Sequence, residues 1–221
     1  MKYSAVILAA GSGKRTGLKL NKILYKIKGK GVIEYSLDFF KNDINCKDIV
    51  LVASNIDYDY CLRHFDGSKI KVVLGGVTRR DSVRLALRST VSDYVLVHDG
   101  ARPFITKESI DQILASLVEN DSVTLGVKVK ETIQEIDGNR VVKTLDRSKL
   151  IITQTPQGFN KKLLIKAHDM ALRKGYYGTD DTILMEHFLG ISASFILGDY
   201  RNIKLTTVDD IKLLEVILLW E

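Results

Sequence analysis

Cysteine is scarce in this chain: 221 residues hold two, Cys46 and Cys61, set among charged neighbours with no CxxC spacing and no histidine cluster nearby. Neither a disulfide framework nor a zinc site is supported. Long apolar runs are missing as well. The longest early one, Ala5 to Ala10, is too short for a membrane span or the hydrophobic region of a signal peptide. No biased tract, internal repeat or linker interrupts a composition that is 45% hydrophobic and 27% charged, which excludes a disordered or fibrous chain. A chain of this length can bury one sizeable core, so the expectation is a single soluble, cytoplasmic domain. Histidine is also sparse. The four, at 64, 98, 168 and 187, stand in unrelated contexts, and there is no GxSxG elbow, so nucleophilic catalysis by a histidine-assisted residue is not expected. His98 reads as a residue that orients its neighbouring loop, the other three as ordinary helix positions.

Positive charge is in surplus. The net charge of +6 favours anionic partners. Lysines at 14, 19, 22, 26, 28 and 30, with Arg15, crowd one stretch in which only Tyr25 is aromatic. Nucleic-acid modules usually interleave aromatics or present a basic helix, so the expected partner is a small polyanion and not nucleic acid.

That stretch follows Val6-Ile7-Leu8-Ala9-Ala10-Gly11-Ser12-Gly13-Lys14-Arg15, an apolar run broken by two glycines and then two cations. A buried parallel strand reads as such a run, and glycines after it let backbone N–H groups turn outward as an anion cradle. A plain strand-to-loop turn with solvated Lys14 and Arg15 is the rival reading. Two familiar phosphate motifs are excluded. A P-loop needs glycine and Ser/Thr where Leu8 and Arg15 stand, and the dinucleotide fingerprint needs glycine at Thr16.

Periodicity supplies the frame. Strands are predicted at 48–53, 70–74, 94–98 and 122–127, helices at 32–40, 58–64 and 81–88, and a further helix after a Thr106 cap with Ile110, Ile113, Leu114, Leu117 and Val118 on one stripe. Such alternation implies right-handed crossovers, a mainly parallel sheet and helices on both faces. The loops at Gly11, Gly75 and Asp99 all follow strand carboxyl ends, where ligands of open α/β sheets gather. The alternation fails at 132–145, which reads as a hairpin about an Asp137-Gly138 turn. A lone hairpin is marginal in water, so it is expected to pack on another surface, such as a second subunit. A return through 153–159, a helix capped by Asn160, a helix opening at 176–181, a strand at 194–197 and a capping box at Thr207 to Asp210 complete the chain.

Taken together, Ala9-Ala10-Gly11-Ser12-Gly13-Lys14-Arg15 with Lys22, Gly75-Gly76 before Arg79-Arg80-Asp81-Ser82, and His98-Asp99-Gly100-Ala101-Arg102-Pro103-Phe104 resemble the nucleotidyltransferases of the cytidylyltransferase type, those of the non-mevalonate isoprenoid pathway above all. The resemblance continues through Leu145-Asp146-Arg147, Gln154-Thr155-Pro156-Gln157, Thr179-Asp180 and Asn202-Ile203-Lys204-Leu205-Thr206. It implies a single Rossmann-like three-layer α/β domain over 1–221 with a protruding hairpin arm at about 129–150. The implied reaction passes CMP from CTP to a polyol phosphate, methylerythritol phosphate ahead of ribitol 5-phosphate, and releases pyrophosphate. A homodimer whose arm reaches the partner's site is implied too.

The implied roles fall on matching positions. Ala9, Ala10, Gly11 and Gly13 wrap the triphosphate, Arg15 and Lys22 act at the α-phosphate, and Gly76 and Ser82 read the cytosine and ribose side. Asp99, Gly100 and Arg102 lie beside ribose and phosphates, with Asp99 the metal ligand for Mg²⁺. Thr132 and Arg147 come from the arm; Thr155, Thr179, Asp180 and Lys204 complete the acceptor pocket, where Arg147 and Lys204 position the incoming phosphate. Thr16, Asn21, Ile23 and Gly100 stand where the family commonly has methionine, proline, glutamine and alanine, and none removes a needed charge. Each residue also has a plainer reading. Arg15 and Lys22 can be solvated cations, Asp99 a loop cap before Pro103, and Arg147 a partner for Asp146. Lys204 can be a strand-edge charge, and Thr179 or Asp180 an N-cap.

Overall fold

The computed structural model describes residues 1–11 and 22–219 of the chain. Its centre is made by strands whose side chains divide between two cores. In β1 (Tyr3–Ala9), Tyr3, Ala5, Ile7 and Ala9 enter one core and Val6 the other; in β4 (Cys46–Ala53), Ile49, Leu51 and Ala53 oppose Val50 and Val52. Strands buried on both faces need apolar side chains at every position, which is why they were legible as unbroken runs.

Between them lie a two-strand ribbon, β2 (Lys26–Ile27) and β3 (Lys30–Gly31), and helix α1 (Val32–Asn42). The ribbon was not expected from the sequence; it turns at Lys28 and Gly29, both at positive φ. The chain continues through α2 (Tyr58–Phe65), β5 (Ile70–Leu74), α3 (Arg79–Leu87), β6 (Tyr94–Asp99), α4 (Lys107–Ser116) and β7 (Ser122–Lys128). After the arm, β8 (Gln134–Asp137) and β9 (Arg140–Thr144), come β10 (Ile151–Asn160), α5 (Lys161–Arg173), α6 (Thr182–Leu189), β11 (Ser194–Leu197) and α7 (Asp209–Leu219).

Among the described residues the main sheet has seven strands in the order β11-β7-β10-β6-β1-β4-β5. β10 alone opposes its neighbours, pairing antiparallel with both β6 and β7. The arm, not a crossover helix, leads into β10, and without a crossover the chain returns in the opposite direction. Helices α3, α5 and α6 bury Val83, Leu87, Leu164, Ala171, Leu184 and Met185 on one face. On the other, α1, α4 and α7 bury Leu37, Phe40, Ile110, Ile113, Ile211 and Leu214. The sheet is thus mainly parallel and covered on both faces.

The helix starts follow the capping rules. Thr106 Oγ1 accepts from the Ser109 N–H at 3.2 Å, and Asn160 Oδ1 from Lys162 N–H at 3.1 Å. At α7 the Asp210 carboxylate accepts from the Thr206 and Thr207 N–H groups at 2.7 and 2.8 Å, the back-reaching half of the expected box. Three expectations shift. The arm's turn is Gly138-Asn139, with Asp137 paired to Arg140 and Gly138 at φ +54°; glycine takes the left-handed position, moving the loop one residue on. Residues 176–181 are a loop before α6, and 202–205, where Lys204 could have been a strand-edge charge, form no strand. Cys46 and Cys61 are buried free thiols, and burial first of all pushes them up to about 12 and about 11. No helix among the described residues is long and apolar enough to cross a membrane.

Phe159 is fully buried on the reversed strand β10. Phe159→Ala is expected to lower unfolding free energy by about 3–5 kcal/mol, the cost of an aromatic-sized void, read as a shift in the urea midpoint at unchanged slope.

Candidate active site

The carboxyl ends of β1 and β6 and the loop after β5 enclose a cavity of about 390 Å³. Ala9, Ala10 and Gly11 border it as β1 ends, and Lys22 enters from a short 3₁₀ turn over 22–24, its side chain mostly buried. Ile23, beside it, is buried in the main core, which accounts for an apolar residue where the family commonly carries glutamine. On the far wall, Gly76 approaches α3 so closely that a Cβ would lie 2.5 Å from that of Asp81. Ser82 ties this loop together, its hydroxyl accepting from the Gly76 N–H at 3.1 Å and donating to the Thr78 carbonyl at 2.9 Å. Gly76 and Ser82 therefore shape this wall. Gly13 and Arg15 lie outside the described residues.

Asp99 closes β6 and stands between this cavity and a second one of about 280 Å³, which also shares Arg79 and Lys204. The Lys204 ammonium lies 2.7 Å from Asp99 Oδ2, and Arg102 Nε lies 3.7 Å from the same oxygen. Burial opposes ionisation of Asp99, but Lys204 and Arg79 outweigh it and hold the carboxyl below its ordinary range. Lys204 is thus no strand-edge charge; it rises from an irregular segment onto Asp99. Gly100 lines neither cavity. Its N–H donates to the Leu8 carbonyl at 3.0 Å, and a Cβ there would meet that oxygen at 3.1 Å. Arg102 lines the second cavity and not the first, its Nη1 donating to the Asn202 carbonyl at 2.6 Å.

Beneath Asp99, His98 is wholly buried. Nε2 lies 3.0 Å from the Arg102 carbonyl, which can only accept, so this nitrogen carries the proton and Nδ1 accepts from Thr155 Oγ1 at 3.1 Å. The Thr155 oxygen in turn accepts from the Asp99 N–H at 3.0 Å. Both ring nitrogens are engaged in orienting the loop, as the sequence suggested. Burial pushes His98 down to about 4, leaving a neutral imidazole at neutral pH.

Thr155, Thr179 and Asp180 line the second cavity. Asp180 is also a cap: Oδ1 accepts from the Ile183 N–H at 3.1 Å, while Oδ2 accepts from Gln157 Nε2 at 3.1 Å. Sequence reading gave no site role to four of this cavity's residues, Arg79, Thr153, Gln154 and Gln157. Arg79 carried a usable signal. Two arginines in the first turn of a helix oppose the helix dipole, so Arg79-Arg80 directly after the Thr78 cap needs another reason. Thr132 and Arg147 line neither cavity; they sit on the exposed arm, where Arg147 donates to the Lys130 carbonyl and not to Asp146. A separate groove of about 410 Å³ beside α1 is mostly apolar and lies away from these residues.

Comparison with known proteins supplies the family and the fold. The family model described as IspD, 2-C-methyl-D-erythritol 4-phosphate cytidylyltransferase, matches residues 3–219. A 2-C-methyl-D-erythritol 4-phosphate cytidylyltransferase of Bacillus velezensis is 42% identical over 99% of this chain and 96% of its own length. Among solved structures, the 4-diphosphocytidyl-2C-methyl-D-erythritol synthase of Anaerococcus prevotii superposes with a TM-score of 0.86 at 33% identity, over 99% of this chain and 96% of that one. The Francisella tularensis 2-C-methyl-D-erythritol 4-phosphate cytidylyltransferase does so at 0.83 and 30% identity, over 98% and 99%.

The His98 arrangement makes a pH dependence. Its pKa falls from 6.5 to about 4 on folding, so between these values the unfolded chain binds the extra proton. The associated stability is complete above about pH 6.5 and is lost as pH falls towards 4, up to about 3 kcal/mol. Urea unfolding across that range is expected to show this slope, and His98→Asn to flatten it.

Proposed function

This chain belongs to the IspD family of 2-C-methyl-D-erythritol 4-phosphate cytidylyltransferases, and from that premise we propose that its two adjoining cavities hold the two substrates of one transfer. CMP passes from CTP in the larger cavity to 2-C-methyl-D-erythritol 4-phosphate in the smaller one, and pyrophosphate leaves. The carrying observation is that Arg79, Asp99 and Lys204 belong to both cavities. Two polyanions seated on either side of shared cations would meet where the phosphoryl group must move. Ribitol 5-phosphate is not the favoured acceptor, since the family model and relatives alike carry the methylerythritol phosphate name.

The chemistry asks little of a general base. A phosphate monoester has its second pKa near about 6, so the attacking oxygen is already largely ionised at neutral pH. Neutral His98, with both nitrogens engaged, is not needed for it. The protein's task is to gather two polyanions in line against their repulsion and to stabilise charge on the transferred phosphoryl group. Backbone N–H groups from Ala9 to Gly13 cradle the triphosphate, and Arg15 and Lys22 act at the α-phosphate. Lys204 holds the acceptor phosphate from within the chain.

Asp99 is the residue for Mg²⁺: it is an ionised carboxylate at the nucleotide cavity, and Mg²⁺ binds through one or two carboxylates with substrate phosphates and water as its other ligands. When bound, the ion neutralises triphosphate charge. Thr132 and Arg147 act in a homodimer, each arm completing the other subunit's acceptor pocket. In support, every residue of β8 and β9 is exposed, including Ile136, Val141 and Val142. Cytoplasmic location follows from the need for CTP.

Incubation with CTP, Mg²⁺ and each acceptor is expected to release pyrophosphate with methylerythritol phosphate and to stop on chelation; release with ribitol 5-phosphate alone would overturn the reading. Lys22→Ala is expected to cut turnover by about 10²–10³ while the melting curve barely moves. Mixing inactive Arg15→Ala and Arg147→Ala dimers under exchange should restore part of the activity, and verified exchange without recovery would sink the shared site.

A further inference from the structure

Arg79 opens helix α3 and borders both cavities, and its side chain is partly exposed, at 30%. Its Nη2 lies 2.8 Å from Asp181 Oδ2. Asp181 is wholly buried, and its other oxygen, Oδ1, lies 3.0 Å from Nε2 of His168, itself wholly buried on α5. Three elements therefore meet on one carboxylate: the nucleotide-side helix α3, the acceptor-side loop before α6, and α5.

The local rules of chain folding do not call for this arrangement. Asp181 occupies the N-cap position of α6, yet its side chain makes no capping bond, and the preceding Asp180 caps in its place. The carboxylate that would ordinarily satisfy the helix end is instead turned inward to a guanidinium. Apolar residues of similar volume could fill a buried ion-pair site with no loss of stability, so packing alone does not require the charges. The adjoining Arg80 holds the same loop by a second route, donating to the Tyr176 carbonyl at 2.9 Å with its guanidinium carbon 4.7 Å from the Tyr177 ring centroid. The first turn of α3 is thereby bound to the acceptor-side loop on two sides.

We propose that His168 and Asp181 are positioning residues for Arg79, holding its guanidinium on the boundary between the cavities so that one cation engages both the triphosphate and the acceptor phosphate. Arg79 has donors beyond the one that Asp181 takes, and a guanidinium fixed by a buried partner meets a phosphate without first losing side-chain freedom. The proposal rests on the two-cavity reading above.

A double-mutant cycle tests it, with kcat and KM measured for CTP and for methylerythritol phosphate. Asp181→Asn is expected to lower kcat/KM about tenfold or more in the otherwise wild-type enzyme and about twofold or less when Arg79 is already alanine. The same fold loss in both backgrounds would show that Asp181 acts independently of Arg79 and would overturn the proposal. So would wild-type kinetics in a folded Asp181→Asn protein. His168→Gln, which keeps an N–H donor toward Asp181, should retain most activity where His168→Leu does not; equal activity in the two removes His168. Thermal melts identify any variant that fails to fold, and calorimetric titration with CTP and Mg²⁺ supplies an arm that needs only Arg79→Ala: affinity about tenfold weaker is expected, and unchanged affinity overturns the proposal. If the wild-type protein binds CTP but releases no pyrophosphate with methylerythritol phosphate, the two-cavity reading fails, while the calorimetric comparison still decides the role of Arg79.

Discussion

The pairing of Asp99 with Lys204 is the interaction on which the site depends. Burial disfavours the charged form of a carboxylate this enclosed and by itself would push Asp99 up. The ammonium 2.7 Å away and the nearby Arg79 reverse that balance. These charges keep Asp99 ionised where the two cavities meet, and the pair joins the irregular segment 201–206 to the end of β6, so that Lys204 borders both cavities.

Holding Asp99 there requires the reversed strand β10. Running antiparallel beside β6, it brings Thr155 opposite His98 and Asp99, so that one hydroxyl serves a ring nitrogen and a backbone N–H together. The ladder from β10 to β7 shifts register between Gln154 and Gln157, and this irregularity falls where both residues border the smaller of the two cavities. Neutral His98 belongs to the same logic: a charged imidazole beneath the site would oppose the nearby Arg102 and Lys204 cations.

Much of this was legible in the residues because the signals were local. The unbroken apolar runs marked β1, β4 and β6, Thr106 and Asn160 marked helix starts through their own side chains, and the glycine turns marked the loops that meet at the sheet edge. The arm could be recognised by alternation and a glycine turn, although its loop fell one residue later, at Gly138-Asn139. Less legible were residues whose partners lie far along the chain. Arg102 could be placed on the loop after β6, but it is the Asn202 carbonyl, a hundred residues on, that sets which cavity it borders. Asp180 looked like either a cap or a pocket residue and is both, one oxygen for each duty.

The amino-acid order alone determined the layered sheet, the protruding arm and a cation-rich glycine loop suited to phosphate, because hydrophobic period, capping and turn chemistry act over a few neighbouring residues. Only the tertiary structure decided which charges share a wall. Whether Arg79 faces solvent or Asp181, and whether Lys204 guards a strand edge or completes Asp99, depends on burial and on contacts between distant segments. Such contacts exist only once the sheet has closed and the polar groups left inside have had to find one another.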